Sequence, residues 1–267
     1  MRCSRTNGRV GVTSQRGGGF TLVEVLAVIS IVALMLAIIL PAVSHVQARS
    51  RGFRCQMSIR SIAFDFGIFA DETLHGDRGN DAEELGSRLF RLETFQESQY
   101  GIDEFWRWGE ASTHAFPDST KADPMRCSSV RGDVVVWKNA PCSQGGVGPP
   151  SSISYTFNAR LHVGEVVKPN GMYGIKAAHL DSTILTQGMV PLAWDVDGAA
   201  ANAKGFSPVF SAPAMGSKVV FSNDKFWFPA LRHAGSLNIA FVDGHVASTS
   251  DPLDPSHGWR WEFQGVK

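Results

Sequence analysis

The sequence predicts an α+β fold: a long N-terminal helix, membrane-spanning in its first half, packs on a C-terminal head with an antiparallel β-sheet. Two patterns predict it. Residues 20–40 form an apolar run, FTLVEVLAVISIVALMLAIIL, and Glu24 is its one charged residue. From Ile153 onward, short apolar runs alternate with loops rich in glycine, proline and aspartate, which is typical of strands. At 267 residues the chain is long enough to bury a core.

The apolar run has the length of a membrane span. As a helix, its 21 residues extend about 31 Å, close to the ~30 Å hydrocarbon core of a bilayer. Basic residues flank it on both sides, with four arginines before it and Arg49, Arg51 and Arg54 after it. The charge distribution therefore favours a cytoplasmic N-terminus only weakly.

Residues 1–19 read as a leader that is removed. They carry four arginines, no acidic residue, and end in three glycines. An ordinary secretory signal has a shorter apolar core, and its small-residue cleavage site follows that core. Here the small residues come first, and glycine backbone is easily drawn into a protease. We predict cleavage between Gly19 and Phe20; the alternative is an uncleaved single-span anchor.

Glu24 is a carboxylate inside the predicted span. Such a group is costly unless it is paired, so it points to a function. It lies one helical turn after Phe20. A free α-amino group on a processed Phe20, in the same chain or in a neighbour, is the partner we expect for it.

The segment GFTLVE at 19–24, followed by an apolar helix, resembles the processing motif of type IV prepilins and type II secretion pseudopilins. The resemblance implies cleavage after Gly19, N-methylation of Phe20, assembly directed by Glu24 and a helix kink at Pro41. It implies four partners: a prepilin peptidase, other pilin-like subunits, inner-membrane assembly machinery and membrane lipid. It also implies a single-pass inner-membrane protein with a cytoplasmic leader and a periplasmic head, which enters a cell-envelope filament after processing.

Beyond Pro41 the helix is expected to continue with one buried face. Proline removes one helical hydrogen bond and kinks a helix. Apolar residues then recur at helical spacing, at Ile59, Ile62, Phe66 and Phe69. The predicted organisation is a leader at 1–19, a transmembrane helix at 20–40, a periplasmic continuation at 41–72 and a globular head at 73–267.

Inside the head, a second helical stretch is predicted at 81–110, ending near Phe105, Trp106 and Trp108. Buried packing is favoured for these aromatic residues over a binding platform. The candidate strands are 134–137, 153–158, 183–187, 190–194 and 218–222.

A hairpin is predicted near the C-terminus. Residues 237–242 alternate, with one clearly apolar face. Asp243 and Gly244 supply a two-residue turn of type I′, with φ > 0 at both positions. Residues 245–247 return as the partner strand.

His233 precedes Asp243-Gly244 by a spacing that resembles the H-X9-DG motif of many prepilin-type proteins. These are grouped in a family of unknown function known mainly from Gram-negative-type bacteria. Two weaker likenesses accompany it. Residues 125–128 stand where many relatives have Cys-Pro, without the proline, and 154–158 resembles their Ser-Tyr-x-x-Asn segment.

Two places in the sequence offer side chains that can bind a metal. His233, Asp243 and His245 have suitable side chains, but a turn role for Asp243 and a bracing hydrogen bond for His233 are favoured. Calcium in the head, from Asp195, Asp197, Asp224 or Asp243, has weak support, because the Asp-x-Asp-Gly fragment lacks the later glutamate of a calcium loop. No cofactor or metal is predicted.

Four cysteines are present: Cys3, Cys55, Cys127 and Cys142. Cys3 leaves with the leader, so three remain. A Cys127–Cys142 disulfide is possible if that segment lies outside the cytoplasm. A zinc site is less expected, because no CxxC pair occurs.

Net charge and the absence of catalytic motifs narrow the classes of function expected for the chain. Removing the leader's four arginines leaves 21 basic residues against 25 acidic, a net charge near −4, which argues against nucleic-acid binding. No Gly-x-Ser-x-Gly, His-Glu-x-x-His, P-loop or dinucleotide motif occurs, and no enzymatic activity is predicted. The leading hypothesis is a pilin-like structural subunit. The alternatives are a membrane-tethered binding module that does not polymerise and a membrane-anchored enzyme.

Overall fold

A computed structural model describes residues 21–74, 85, 88–100, 126–130 and 153–263. The predicted leader, Gly19 and Phe20 lie outside these described residues, as do Trp106, Trp108 and Cys142. The chain divides into two compact units, Met1–Gln47 and Ala48–Lys267.

In the first unit, helix α1 begins at Leu22, and it ends in the second unit at Ala70. Among the described residues, α1 alone is long and apolar enough to cross a membrane. Its side chains from Thr21 to the end of this unit are exposed. Pro41 lies inside the helix, which runs through it as one element, and the kink at Pro41 stays a prediction.

In the second unit, α1 presents one buried face to the core. Ile59, Ile62, Phe66 and Phe69 are all buried, which confirms the helical spacing in the sequence. They form one apolar cluster with sheet residues such as Phe157. The helix therefore supplies one wall of the head.

A short helix, α2, at Leu92–Tyr100 adds an aromatic group to this wall. Phe95 packs against Phe66 and Phe69 with ring centroids 5.3 and 5.4 Å apart. Within the predicted 81–110 helix, the described residues are helical at Leu92–Tyr100, and residues 101–110 lie outside the described part of the chain. Phe90 instead exchanges backbone hydrogen bonds with Leu180, which removes it from any helix.

The head is built on a five-stranded sheet in the order β5-β1-β4-β6-β7. Three pairs, β1–β4, β4–β6 and β6–β7, are antiparallel, as predicted. The β1–β5 pair is parallel, so the sheet is mixed rather than purely antiparallel. The bounds are β1 Tyr155–Asn158, β4 Pro191–Asp195, β5 Phe210–Ser211, β6 Leu237–Phe241 and β7 Val246–Thr249.

Sequence patterns misplaced several smaller elements. A separate hairpin of β2, Val163–Val167, and β3, Tyr173–Ala177, was not predicted. The predicted strand at 183–187 is a 3₁₀ turn, Ser182–Thr186, capped by Asp181. Residues 218–222 form no strand, and a short helix, α3, spans Gly198–Ala203.

Both faces of the sheet are covered. All five residues of β4 and all five of β6 are buried. The face opposite α1 packs against an aromatic group that includes Trp194, Trp227 and Trp261. The alternation in 237–242 predicted only one buried face. The second face is buried because the chain beyond β7 folds back over it.

Candidate functional site

The start of α1 is closed by a reciprocal cap between Thr21 and Glu24. The Glu24 carboxylate accepts hydrogen bonds from the Thr21 backbone N–H at 2.8 Å and from its hydroxyl at 3.0 Å. In return, the Glu24 N–H donates to the Thr21 hydroxyl at 3.3 Å. This is a capping box. The Thr-x-x-Glu spacing in the sequence is the signature of this box, so Glu24 caps the helix in addition to its predicted role in assembly.

The cap holds the Glu24 carboxylate at the residue that follows Phe20 in the chain. Beyond it, the large apolar side chains of α1 are exposed, with Leu22 and Val23 each more than two-thirds accessible. An apolar surface of this size requires lipid or other apolar helices around it. The carboxylate and the apolar surface thus occupy the same end of the helix.

At the C-terminal motif, His233 opens a tight turn ahead of β6. His233 and Ser236 exchange backbone hydrogen bonds of 3.0 and 3.2 Å, and the two residues between them, Ala234 and Gly235, have φ of 55° and 83°. Positive φ at both central positions is the type I′ pattern. A turn of the type predicted for Asp243-Gly244 is therefore found nine residues earlier, at Ala234-Gly235.

The His233 side chain is directed into the head, where only 9% of it is exposed. Its Nε2 lies 3.6 Å from Sγ of Cys127 and 3.4 Å from Oδ2 of Asp195. On the α1 side, His233 faces Gly52: a Cβ atom added to that glycine would lie 3.5 Å from Nδ1 of His233. His233 thus touches three separate parts of the fold.

Cys127 forms a disulfide with Cys55 of α1. The predicted Cys127–Cys142 pair is wrong, because Cys127 already has this other partner. Both bonded cysteines are fully buried. The Tyr155 hydroxyl donates to the Cys55 carbonyl at 3.2 Å. The disulfide joins α1 to the 126–130 segment across a sequence separation of 72 residues.

Asp195, at the end of β4, is the buried charge of this site. Its Oδ2 accepts a hydrogen bond from the Asn238 N–H at 2.8 Å. Its Oδ1 lies 3.5 Å from Nη1 of Arg232, and that guanidinium also donates to the carbonyls of Ser154 and Val196. The negative charge is thus balanced by a cation that is itself held by backbone.

Burial and the charge of Asp195 shift the pKa values of two neighbours, Tyr155 and Arg232. Burial raises the pKa of the Tyr155 phenol, and the charge on Asp195 raises it further. Burial lowers the pKa of Arg232, while Asp195 opposes that change. Both groups therefore keep their neutral-pH forms, a neutral phenol and a charged guanidinium.

Asp243 and Gly244 lie at the other end of β6. Gly244 has φ 89°, whereas φ of Asp243 is negative. The Gly244 N–H donates to the Phe241 carbonyl at 3.0 Å, and the Phe241 N–H donates to the His245 carbonyl at 3.0 Å. The loop therefore has three residues and one left-handed glycine, and the predicted two-residue type I′ turn is wrong.

His233 and the Asp243-Gly244 pair, which the sequence spacing grouped together, lie apart in the fold. Asp243 Oδ1 lies 2.5 Å from Nδ1 of its near neighbour His245, which stacks on Phe241. His233 is at the opposite end of the strand, beside Asp195. A metal site made of His233, Asp243 and His245 is therefore excluded.

The aspartates considered for calcium have separate tasks. Asp197 caps α3 through the Ala200 N–H at 3.0 Å, and Asp224 accepts from the Ala214 N–H at 2.6 Å. Asp195 is engaged by Arg232 and Asn238, as described above. The described contacts therefore give these carboxylates structural partners.

Comparison with known proteins gives one match, at the N-terminus. Residues 15–40 match the family described as the prokaryotic N-terminal methylation motif. No curated protein and no solved structure matches the chain. A motif of this type implies processing by a prepilin peptidase and assembly with other pilin subunits. The chain therefore carries the N-terminal methylation motif of type IV pilin-like proteins, on an apolar helix suited to membrane anchoring.

Proposed function

We propose that this chain is a pilin-like, non-catalytic structural subunit. It is processed by a prepilin peptidase and assembled through α1 into a filament of the type II secretion or type IV pilus kind. The observation that carries the proposal is the methylation motif at 15–40, which coincides with the start of a 49-residue helix. The first half of that helix has an exposed apolar surface.

Processing comes first in this scheme. The precursor sits in the inner membrane with residues 1–19 in the cytoplasm and the head in the periplasm. The peptidase cuts between Gly19 and Phe20, and Phe20 is N-methylated. The cut replaces a peptide N–H at Phe20 with a cationic amine.

Assembly then uses that amine. The Glu24 carboxylate is satisfied on one side by Thr21, and a carboxylate oxygen can accept more than one hydrogen bond. Within a membrane, an ionised carboxylate favours a cationic partner strongly. The methylated α-amino group of a neighbouring subunit supplies it, while apolar side chains of adjacent helices cover one another.

The head has a structural role in this proposal. The Cys55–Cys127 disulfide covalently ties the second half of α1 to the head. His233 contacts Cys127 of that tie, and Asp195 contacts His233. These buried contacts hold the second half of α1 to the rest of the head.

The test is the intact mass of the membrane-extracted chain, made with and without a prepilin peptidase. With the peptidase, the mass should fall by that of residues 1–19, and N-terminal sequencing should begin at a methylated Phe20. A Gly19→Leu variant should keep the precursor mass. A chain that still begins at Met1 in the presence of an active peptidase would overturn the proposal.

The tethered-module alternative is separated by assembly. After processing, the sheared and pelleted surface fraction should contain the chain in filaments visible by electron microscopy. A processed chain that stays entirely in the membrane fraction, with the other filament subunits assembling without it, would favour the tether.

A further inference from the structure

Three metal-binding side chains converge where α1 meets the sheet of the head. Sγ of Cys55, Sγ of Cys127 and Nε2 of His233 all lie within 4.8 Å of one another. Both cysteines are fully buried, and His233 is 9% exposed. In the oxidised chain the sulfurs are bonded to each other. The same atoms offer a different chemistry once that bond is opened.

We propose that the reduced chain binds one Zn²⁺ at this position. The ligands are the thiolates of Cys55 and Cys127, Nε2 of His233 and the carboxylate of Asp195. Nitrogen, sulfur and carboxylate ligands in a closed set of four are what structural zinc prefers. The disulfide and the zinc ion are then two alternative links between the same segments of the head.

Two of the distances between the proposed ligand atoms already match those of a tetrahedral ion. With Zn–S bonds of about 2.3 Å and Zn–N or Zn–O bonds of about 2.0 Å, two ligand atoms lie about 3.3–3.8 Å apart. Nε2 of His233 is 3.6 Å from Sγ of Cys127 and 3.4 Å from Oδ2 of Asp195. Two edges of the tetrahedron are thus already present in the oxidised fold.

The fourth ligand, Asp195, is held in place by Asn238 and Arg232. The Asn238 N–H donates to its Oδ2 at 2.8 Å, and Arg232 lies 3.5 Å from Oδ1. Outer contacts of this kind orient a ligand and raise metal affinity. Asp195 is also fully buried, so water competes poorly for the site.

The steps balance as follows. A dithiol gives two electrons and two protons to the Cys55–Cys127 bond and is oxidised to a disulfide. A phosphine gives two electrons and takes the oxygen of a water molecule to become a phosphine oxide, and that water supplies the two protons. In either case each sulfur ends as a thiol. Zn²⁺ then displaces both thiol protons. The Ser129 N–H donates to Sγ of Cys127 at 3.4 Å, which favours the thiolate.

The experiment uses the full-length chain in detergent, with Cys3 and Cys142 replaced by serine so that only the two cysteines of the site remain. One half is oxidised, and the other is reduced with a phosphine. Both are given Zn²⁺, freed of loose metal on a desalting column and analysed by mass spectrometry for bound zinc. We expect about one zinc per reduced chain and none above background in the oxidised chain.

Cobalt(II) reports the ligand set without altering the site. The reduced chain should show thiolate-to-cobalt charge transfer and the intense ligand-field bands of a tetrahedral ion. His233→Ala should weaken zinc binding at least tenfold in competition with a chromophoric chelator. His257→Ala, which changes a histidine outside the cluster, should leave binding unchanged.

Two results would overturn the proposal. One is a reduced chain that binds no more zinc than the oxidised chain. The other is a His233→Ala chain that is folded by circular dichroism and binds zinc as tightly as its parent.

Discussion

His233 and Cys127 are in contact, with Nε2 of the histidine 3.6 Å from Sγ of the cysteine. The contact joins the C-terminal H-X9-DG segment to the disulfide that anchors α1. The histidine is thus a packing partner of the link between helix and sheet. His233 and Asp243 are ten residues apart in sequence because strand β6 lies between them, with His233 in the turn before the strand and Asp243 in the loop after it.

The Cys55–Cys127 disulfide predicts a large loss of stability on removal. Its sequence separation is 72 residues, and closing a loop of that length in the unfolded chain corresponds to about 4 kcal/mol in the chain-entropy model. Cys55→Ser should lower the free energy of unfolding by about that amount. Urea denaturation in the absence of reductant measures the change.

Cys142→Ser is the matched control for that change and should leave the free energy of unfolding unaltered. A non-reducing peptide map should show Cys55 joined to Cys127. A map that joins Cys127 to Cys142 would contradict the structure.

Two substitutions at the α1 cap separate the role of the Glu24 charge in assembly from the role of its hydrogen bonds in starting the helix. Glu24→Gln keeps a side chain that can close the capping box but removes the charge. It should leave helix formation and leader cleavage intact and abolish filaments. Thr21→Ala keeps the charge and weakens the helix start by about 1 kcal/mol, so filaments should persist. Pelleting and electron microscopy read out assembly; normal filaments from Glu24→Gln would show that charge pairing is not required.

Two glycines predict opposite responses to alanine. Gly235 has φ 83° in the His233 turn, and alanine there should destabilise the head by about 1 kcal/mol. Gly67 lies inside α1 with open space at its Cβ position, and alanine there should stabilise the chain by about 1 kcal/mol. Thermal unfolding of the two variants in parallel checks the signs, and a stabilising Gly235→Ala would rule out the left-handed turn.

The loop at 217–220, which is held by Glu165, is expected to lose stability in acid. Burial alone would raise the pKa of its carboxyl. Hydrogen bonds from the Ser217 hydroxyl and from the backbone N–H groups of Val220, Val219 and Lys218 outweigh burial and bring the pKa below its usual range. The stabilisation is therefore fully present above the unfolded value of about 4.3 and is lost as the pH falls through the lower, folded-state pKa.

The check for Glu165 is the difference in unfolding free energy between the parent and Glu165→Gln, measured from pH 3 to pH 7. The parent should be more stable at neutral pH, and the difference should shrink in acid. A difference that does not change with pH would mean that the ionised carboxylate does not hold the loop.

The elements that could be predicted from the sequence are those with a regular spacing of apolar residues. Ile59, Ile62, Phe66 and Phe69 recur at helical spacing, and β6 shows strand alternation, so both were identifiable within a few residues of chain. The 3₁₀ turn at Ser182–Thr186 was mistaken for a strand because a short apolar run fits either structure. Capping by Asp181 decides between them.

The head site could not be predicted, because its contacts are distant in sequence. Cys127 has one cysteine 15 residues away and another 72 residues away, and spacing alone favoured the nearer, wrong partner. His233 meets Asp195 only after β4 and β6 have paired. The type I′ turn at Ala234-Gly235 was missed because alanine carries no turn signal, although the structure gives it φ 55°.

The outer strands of the five-stranded sheet are short: β5 has two residues and β7 has four. A short edge exposes few free backbone N–H and C=O groups to another chain, which is how natural sheets avoid pairing edge to edge. In the proposed filament, this five-stranded sheet would therefore offer neighbouring heads little backbone for cross-strand pairing, and contacts between subunits would rest on the α1 helices.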